Sequence, residues 1–389
     1  MARPRRTIPD PGPDPGPDVG PTLHGRQDDP RDGEIVRRLC DWFERAARTL
    51  PWRATPRNPY HALVSEFMLQ QTQVARVLEK FEPFLRRFPD VRALARAPED
   101  QVLEAWAGMG YYRRARLLHA CARAIVERHG AVVPDDAKAL RQLPGVGPYT
   151  AGAIASIAFG RVEPIVDGNV CRVLQRLEGR EGHAGAKDVQ RWAWDRAKAL
   201  VTKAAGAPGA FNEGLMELGA TVCTPARPRC DACPLAAQCV AMRTGVTDRI
   251  PAPKPRSRRA NVTHDVIVVW RKGKSAGRVE VGLVARPPTG LWAGMLQPPC
   301  VEEATDAPRS VDQVRALLGL ELTRLGRQTP VIVRFETTHR KVRFRVWSAE
   351  VRGTGGKRAG LRWVDCEALE VQAISNAHRR VIEAGLGGP

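Results

Sequence analysis

The chain has 389 residues and carries 61 Lys and Arg against 42 Asp and Glu, a formal net charge of +19. Hydrophobic residues at 43% and charged residues at 26% are globular proportions that exclude wholesale disorder, and no run approaches the roughly 18 apolar residues of a spanning helix, which excludes a transmembrane protein. So large an excess of positive charge favours a polyanionic partner, of which nucleic acid is the commonest.

Residues 1–32 are Pro- and Gly-rich (PDPGPDPGPD), carry 5 basic and 6 acidic side chains and lack apolar periodicity, so a disordered tail is expected rather than a basic arm. The first 20 residues also lack the apolar core of a secretory signal, which points to the cytoplasm and reduced thiols. From Glu34 the pattern becomes helical. Apolar residues recur at three- and four-residue spacings over Glu34–Arg48, His61–Thr72, Val74–Phe88, Glu99–Ala107, Tyr112–Arg128, Ala137–Leu143, Tyr149–Ala158, Asn169–Leu177 and Phe211–Leu218. Between two of these helices stands Leu143-Pro144-Gly145-Val146-Gly147-Pro148. Its glycines permit a tight turn and close backbone approach, and the helix that follows offers unpaired N–H groups to an anion such as DNA phosphate. Alone, such a turn reads more simply as a helix–helix connection.

Four of the nine cysteines, Cys223, Cys230, Cys233 and Cys239, fall within 17 residues directly after a predicted helix. Crowded thiolates repel unless a cation neutralises them, so the cluster reads as a metal site, either a structural Zn²⁺ or a [4Fe–4S] cluster. A single C-x2-C in place of two short-spaced pairs favours iron–sulfur. The other five cysteines are scattered and read as small buried hydrophobes. Residues 245–262 combine Pro and basic side chains and are expected to form a solvated linker. Beyond it the period changes. Asp265–Trp270, Val279–Ala285, Val331–Thr337 and Val342–Val351 read as strands, with helices at Val311–Leu318 and at the C-terminus. An all-α domain (33–244) is therefore expected to precede a smaller α+β domain (263–389). Both are basic: residues 33–250 carry 32 basic and 23 acidic side chains, and residues 251–389 carry 24 and 13.

The motifs in combination carry a resemblance: PWR at 51–53, SEFMLQQTQV at 65–74, GMGYYRRA at 108–115, LPGVGPYTAGAIASIAFG at 143–160, VDGNVCRVLQRL at 166–177, FNEGLMELGATVC at 211–223 and the four-cysteine spacing. Over residues 34–240 the sequence resembles the helix-hairpin-helix DNA glycosylases of the endonuclease III superfamily and, within them, the MutY branch of adenine glycosylases. Residues 263–389 resemble that branch's Nudix-like domain more weakly, chiefly through GLWAGMLQPP at 290–299. No Glu-rich helix follows Pro299, so binding without hydrolysis is expected of this domain.

The resemblance implies a monofunctional glycosylase of base excision repair that releases adenine mispaired with 8-oxoguanine or guanine in double-stranded DNA. It also implies one [4Fe–4S] cluster on Cys223, Cys230, Cys233 and Cys239, a monomeric state and a nucleoid-associated location. Glycosidic cleavage needs an acid for the leaving group and a carboxylate for the developing sugar cation. Glu66, which alone would read as part of a solvated stripe with Gln70 and Gln73, takes the role of the acid. Asp167, which alone would read as a helix N-cap, takes that of the stabilising carboxylate, with Tyr149 and Asn169 as its positioning partners.

The endonuclease III branch carries a nucleophilic Lys where this chain has Tyr149, and a Tyr cannot form an imine. A lyase of that branch is thus one alternative, and a non-catalytic four-cysteine zinc protein that binds DNA is another. The resemblance further implies an adenine pocket of Trp52, Arg53, Leu69 and Glu213, and intercalation by Gln71 and Tyr111 beside Thr72. It implies phosphate contact at Gly145 and Gly147, and Arg227 and Arg229, between the ligands of the cysteine loop, are expected to meet the phosphate backbone. At the lesion-reading tip the family has Phe-Ser-His, whereas this chain reads Thr337-Thr338-His339. Thr338 and His339 are the expected lesion contacts, and the missing Phe puts the strength of discrimination in question.

Overall fold

A computed structural model describes residues 30–254, 259–273, 277–287, 290–303, 309–319, 324–325, 329–337, 340–351 and 360–387. Among the described residues twelve α-helices build the first part, and apolar spacing explains most of them. In α1 (Pro30–Ala46), Ile35, Leu39 and Phe43 recur every four residues and are all buried. The next helix, α2 (Pro59–Leu69), starts at Asn58, whose Oδ1 accepts from Tyr60 N (2.9 Å) and His61 N (3.2 Å), with Pro59 in the first turn.

Two apolar cores form. Leu63, Val64 and Phe67 of α2, Val77, Phe81 and Phe84 of α3 (Val74–Arg87), Trp106, and Leu118, Ala122 and Ile125 of α6 (Tyr112–His129) make one. The other joins Ile35 and Leu39 to Val170, Leu174 and Leu177 of α9 (Gly168–Glu178) and to Phe211, Leu215 and Leu218 of α11 (Pro208–Thr221). The helix α8 (Pro148–Phe159) belongs to both, giving Ala151, Ile154 and Ala155 to the first core and Ala153 to the second. Its small residues make this possible. A Cβ on Gly152 would meet the Pro164 carbonyl oxygen at 2.2 Å.

Among the described residues three α-helices of this part escape the periodicity reading: α4 (Val91–Arg96), barely more than one turn, α10 (Lys187–Lys203), and the four-residue helix Val240–Arg243. In α10 two of the five buried positions are alanines, Ala193 and Ala197, so its apolar stripe is faint in the sequence. Some residues assigned to the expected tail and linker pack with the helices. Helix α1 begins at Pro30, because Asp32 is buried against Arg196 and Arg31 pairs with Glu178. At the linker, Ile250 is buried, its carbonyl accepts from Arg176 Nε (2.7 Å), and Ala252 N donates to Gly182 O (3.0 Å), so residues 245–252 belong with the helices.

The C-terminal part is α+β. A mixed sheet centres on β1 (Ala260–Lys272), parallel to β7 (Arg340–Glu350) and antiparallel to β2 (Val279–Ala285) and β4 (Cys300–Glu303); β6 (Val331–Glu336) pairs with β7, and β8 (Arg362–Asp365) with β2. One face carries a core of Val266, Val268, Val281, Leu283 and Phe344 with Val381 and Ile382 of the C-terminal helix (Asn376–Leu386), and the other packs on Val311 and Val314 of the helix Val311–Leu318. The Gly290–Pro299 segment joins the two parts. Arg116 Nη2 donates to Gly294 O (3.2 Å), and Met295 is buried in the first helical core. No helix among the described residues is long and apolar enough to cross a membrane.

Candidate active site in the seam between two helical cores

The seam between the two cores brings together side chains that the sequence keeps about a hundred residues apart. Glu66 comes from α2, Tyr149 from the first turn of α8, Asp167 from the cap of α9 and Glu213 from α11. Ser65, Glu66 and Phe67 are all buried, so α2 has no solvated stripe at Glu66, and that carboxyl is only 7% exposed. Burial first, then the neighbouring Asp167 and Glu213 charges, push it up to about 8, against a smaller opposing effect of the Tyr149 hydroxyl. That hydroxyl is shared, since it also donates to Met216 Sδ at 2.9 Å.

Asp167 does two jobs at once. As the N-cap of α9 its Oδ1 accepts from Val170 N (2.7 Å), and its Oδ2 accepts from Asn169 Nδ2 (3.3 Å). Burial raises its pKa, while the hydrogen bonds from Val170 and Asn169 and the charge of Arg172 oppose the rise. Asn169 is itself held by Arg172, whose Nη2 donates to Asn169 Oδ1 (2.9 Å) and to Gly219 O (2.8 Å). Burial thus raises both carboxyl groups, and the donors on Asp167 oppose that rise.

Glu213 anchors a buried ion-pair network. It accepts from Arg53 Nε (2.9 Å) and Arg57 Nη2 (2.5 Å), and one turn on, Glu217 accepts from Arg48 Nε (2.6 Å) and Arg53 Nη2 (3.0 Å). Arg48, Arg57 and Glu217 were not expected from the sequence. The four-residue spacing of Glu213 and Glu217 on α11 was the available signal. Trp52 is half-buried with its ring edge-on to Phe81 (5.3 Å between centroids), and Leu69 packs on the first core at the end of α2.

Gln71 (φ 55°) and Tyr111 (φ 49°) are both non-glycine residues in the left-handed region and both exposed, Tyr111 to 58%. Such backbone is costly and persists where surrounding contacts fix it. Arg114 supplies those contacts. Its Nη1 donates to Phe67 O (2.9 Å) and Met68 O (3.0 Å), its Nη2 to Thr72 Oγ1 (2.8 Å), and its guanidinium lies 5.1 Å from the Tyr111 ring. In the turn between α7 (Ala137–Leu140) and α8, Gly145 has φ +78°, and a Cβ there would meet Leu117 Cβ and Phe67 Cε1 at 2.9 Å. Gly147 caps α8 and has open space where its Cβ would stand.

The four clustered cysteines line a loop against α9. Arg176, 2% exposed, directs Nη1 to Cys223 Sγ (3.5 Å) and to the Thr224 carbonyl (2.7 Å), Nη2 to the Pro225 carbonyl and Nε to that of Ile250. Burial and the neighbouring sulfurs push Cys233 up to about 12, a penalty on the thiolate that a bound cation would relieve. The four-thiol donor set fits a sulfur-ligated metal centre. Arg227 and Arg229 are exposed on this loop. Thr337 closes the β6–β7 turn, its N–H donating to Arg340 O (2.8 Å), whereas Thr338 and His339 lie outside the described residues.

Residues 64–199 match the family described as HhH-GPD superfamily base excision DNA repair protein, and residues 267–384 match the NUDIX domain family. The adenine DNA glycosylase of Rattus norvegicus is 36% identical over 402 residues, spanning 89% of this chain and 76% of its own length. That of Homo sapiens is 35% identical over 407 residues, spanning 90% and 73%. The chain belongs to the adenine DNA glycosylases. It is an enzyme of base excision repair. The adenine DNA glycosylase of Mycobacterium tuberculosis (strain ATCC 25618 / H37Rv) is 49% identical over 199 residues, 51% of this chain and 64% of that protein. Among solved structures, a thermostable thymine-DNA glycosylase aligns with a TM-score of 0.49 at 28% identity, covering 55% of this chain and 97% of the other.

Proposed function

We propose that this glycosylase releases adenine paired with 8-oxoguanine, or with guanine, by acid-assisted hydrolysis and leaves the strand uncut. The observation that carries the reading is the buried Glu66 carboxyl, pushed up to about 8, beside Asp167 and Tyr149. Adenine is turned out of the stack at a cost of a few kcal/mol, which Gln71 and Tyr111 offset by filling the vacated space. Glu66 donates its proton to adenine N7, the glycosidic bond breaks with its electron pair going to the base, and Asp167 stabilises the positive sugar. Water then adds at C1′ and its proton returns to Glu66. Tyr149 and Asn169 hold the two carboxyls in place. Trp52, Arg53, Leu69 and Glu213 shape the adenine pocket, while the Gly145–Gly147 turn receives a phosphate at the start of α8.

Cys223, Cys230, Cys233 and Cys239 hold one [4Fe–4S] cluster, with Arg176 as its buried cationic neighbour. When bound, the cluster supplies cross-linking and no chemistry toward the base, so the loop's part in the reaction is to present Arg227 and Arg229 to the DNA backbone. Residues 33–244 act as the glycosylase domain and 263–389 as the lesion reader. The helix Val311–Leu318 after β4 holds Asp312 as its lone carboxylate, which supports binding without Nudix hydrolysis. Thr338 and His339 are assigned to the lesion, and a monomer on double-stranded DNA is sufficient for every step.

The test is a duplex carrying adenine opposite 8-oxoguanine, incubated with enzyme and then treated with alkali. Wild type is expected to yield an alkali-labile site that Glu66→Gln and Asp167→Asn do not produce, with slower turnover opposite guanine. Intact adenine in the wild-type reaction overturns the reading. Equal rates opposite the two bases would remove lesion recognition alone.

A further inference from the structure

The Nudix-like part contains a cluster for which adenine excision has no use. His264 and Glu302 are register partners across β1 and β4, and Cys300 lies opposite Val266 two residues along, so the three side chains share one face of the sheet. A His ring nitrogen, Cys300 Sγ and a Glu302 carboxylate oxygen all lie within 4.8 Å of one another. His264 is 1% exposed, yet neither ring nitrogen has a hydrogen-bond partner, an arrangement that buried polar groups ordinarily avoid. Tyr, Ser or backbone partners could have satisfied it. Instead it faces a thiol and a carboxylate.

The thiol and the carboxylate are each supported from behind. Gln297 Nε2 donates to Cys300 Sγ (3.0 Å), and Arg286 pairs with Glu302 Oε1. Hydrogen-bonded supports of this kind orient ligands at metal centres. Asp265, the remaining nearby carboxylate, is taken up by Arg345 and Arg309. We propose that His264, Cys300 and Glu302 form a mononuclear site for a borderline-soft divalent cation of the Zn²⁺ class. One imidazole, one thiolate and one carboxylate are ordinary zinc ligands, and water completes the fourth position. As the sulfur–metal bond forms, the Cys300 thiol releases its proton to solvent, so thiolate and carboxylate together balance the dication. Burial favours the neutral form of the His264 imidazole, which is the form that ligates. The ion clamps β4 onto β1, directly after the segment through which Gly294 and Met295 meet the helical domain.

The test uses the full-length protein with its iron content intact, dialysed to equilibrium against zinc sulfate. Metal content is read by mass spectrometry and the zinc environment by X-ray absorption. About one tightly held zinc per chain is expected, with one sulfur at about 2.3 Å and nitrogen or oxygen neighbours at about 2.0 Å. Cys300→Ala is expected to lose that zinc while keeping iron. Glu302→Gln, at a half-exposed side chain that leaves folding secure, is expected to weaken it at least tenfold, and zinc is expected to raise the melting midpoint of wild type more than that of this variant. A protein that retains no zinc, a four-sulfur shell, or affinity unchanged in Glu302→Gln and Cys300→Ala each overturns the proposal.

Discussion

Replacing Glu66 by Gln should make the enzyme inactive and more stable at once, by an amount set by pH. A carboxyl raised from 4.5 to about 8 disfavours its charged form by about 5 kcal/mol, at about 1.4 kcal/mol per unit. In the unfolded chain the same group ionises from 4.5 upward. Below that pH both states hold the proton and folding loses nothing; as pH rises toward 8 the unfolded state gains, and stability falls. Linkage gives a penalty of about 1 kcal/mol at pH 5, about 3 at pH 7 and about 4 at pH 8. Gln has the same shape and no proton to lose, so its advantage over wild type should grow by that schedule. Urea unfolding of both proteins at these three pH values, followed by circular dichroism, measures it. An advantage that does not change with pH would mean that Glu66 is an ordinary carboxylate, and the argument for it as the acid would collapse. A Gln variant that excised adenine at the wild-type rate would do the same.

Wild-type single-turnover rates are expected to fall above a pH of about 8 as Glu66 ionises; because the Tyr149 hydroxyl lowers that pKa, Tyr149→Phe should move this basic limb upward. Borohydride is expected to trap no covalent complex with wild type, since Tyr149 cannot form an imine, and a trapped adduct would refute the monofunctional assignment. Arg114→Ala removes donors to the Phe67 and Met68 carbonyls and to Thr72, so a loss of about 2–4 kcal/mol is expected in thermal or denaturant unfolding, with weaker preference for the mispair in a binding competition. The two turn glycines should separate fold from contact. Gly145→Ala meets atoms at 2.9 Å and should lower the melting midpoint, whereas Gly147→Ala meets nothing, should melt like wild type and should lose duplex affinity.

Much of this protein was legible because its chemistry is local. Helices with strong apolar stripes, the β-branched strands, the glycine turn and the cysteine spacing are all short-range patterns, and the motif set placed Glu66, Asp167, Tyr149 and Glu213 as the residues to watch. What local pattern could not give was the environment of those residues. In the sequence, Glu66 with Gln70 and Gln73 reads as a solvated stripe, because helical spacing says which residues share a face and not what covers that face. Helix α8, small enough to touch both cores, supplies the cover and thereby the raised pKa. Arg57, Arg114 and Arg176 were invisible for the same reason: in a chain with 61 Lys and Arg, nothing local distinguishes a buried guanidinium from a solvated one. The faint helix α10 was missed because alanines bury little area and leave little periodic signal. Composition and motif thus pointed to a DNA enzyme and to the side chains proposed to take part. Packing alone decided their protonation, because pKa is set by what excludes water from a group and which charges face it, and both come from parts of the chain about a hundred residues away.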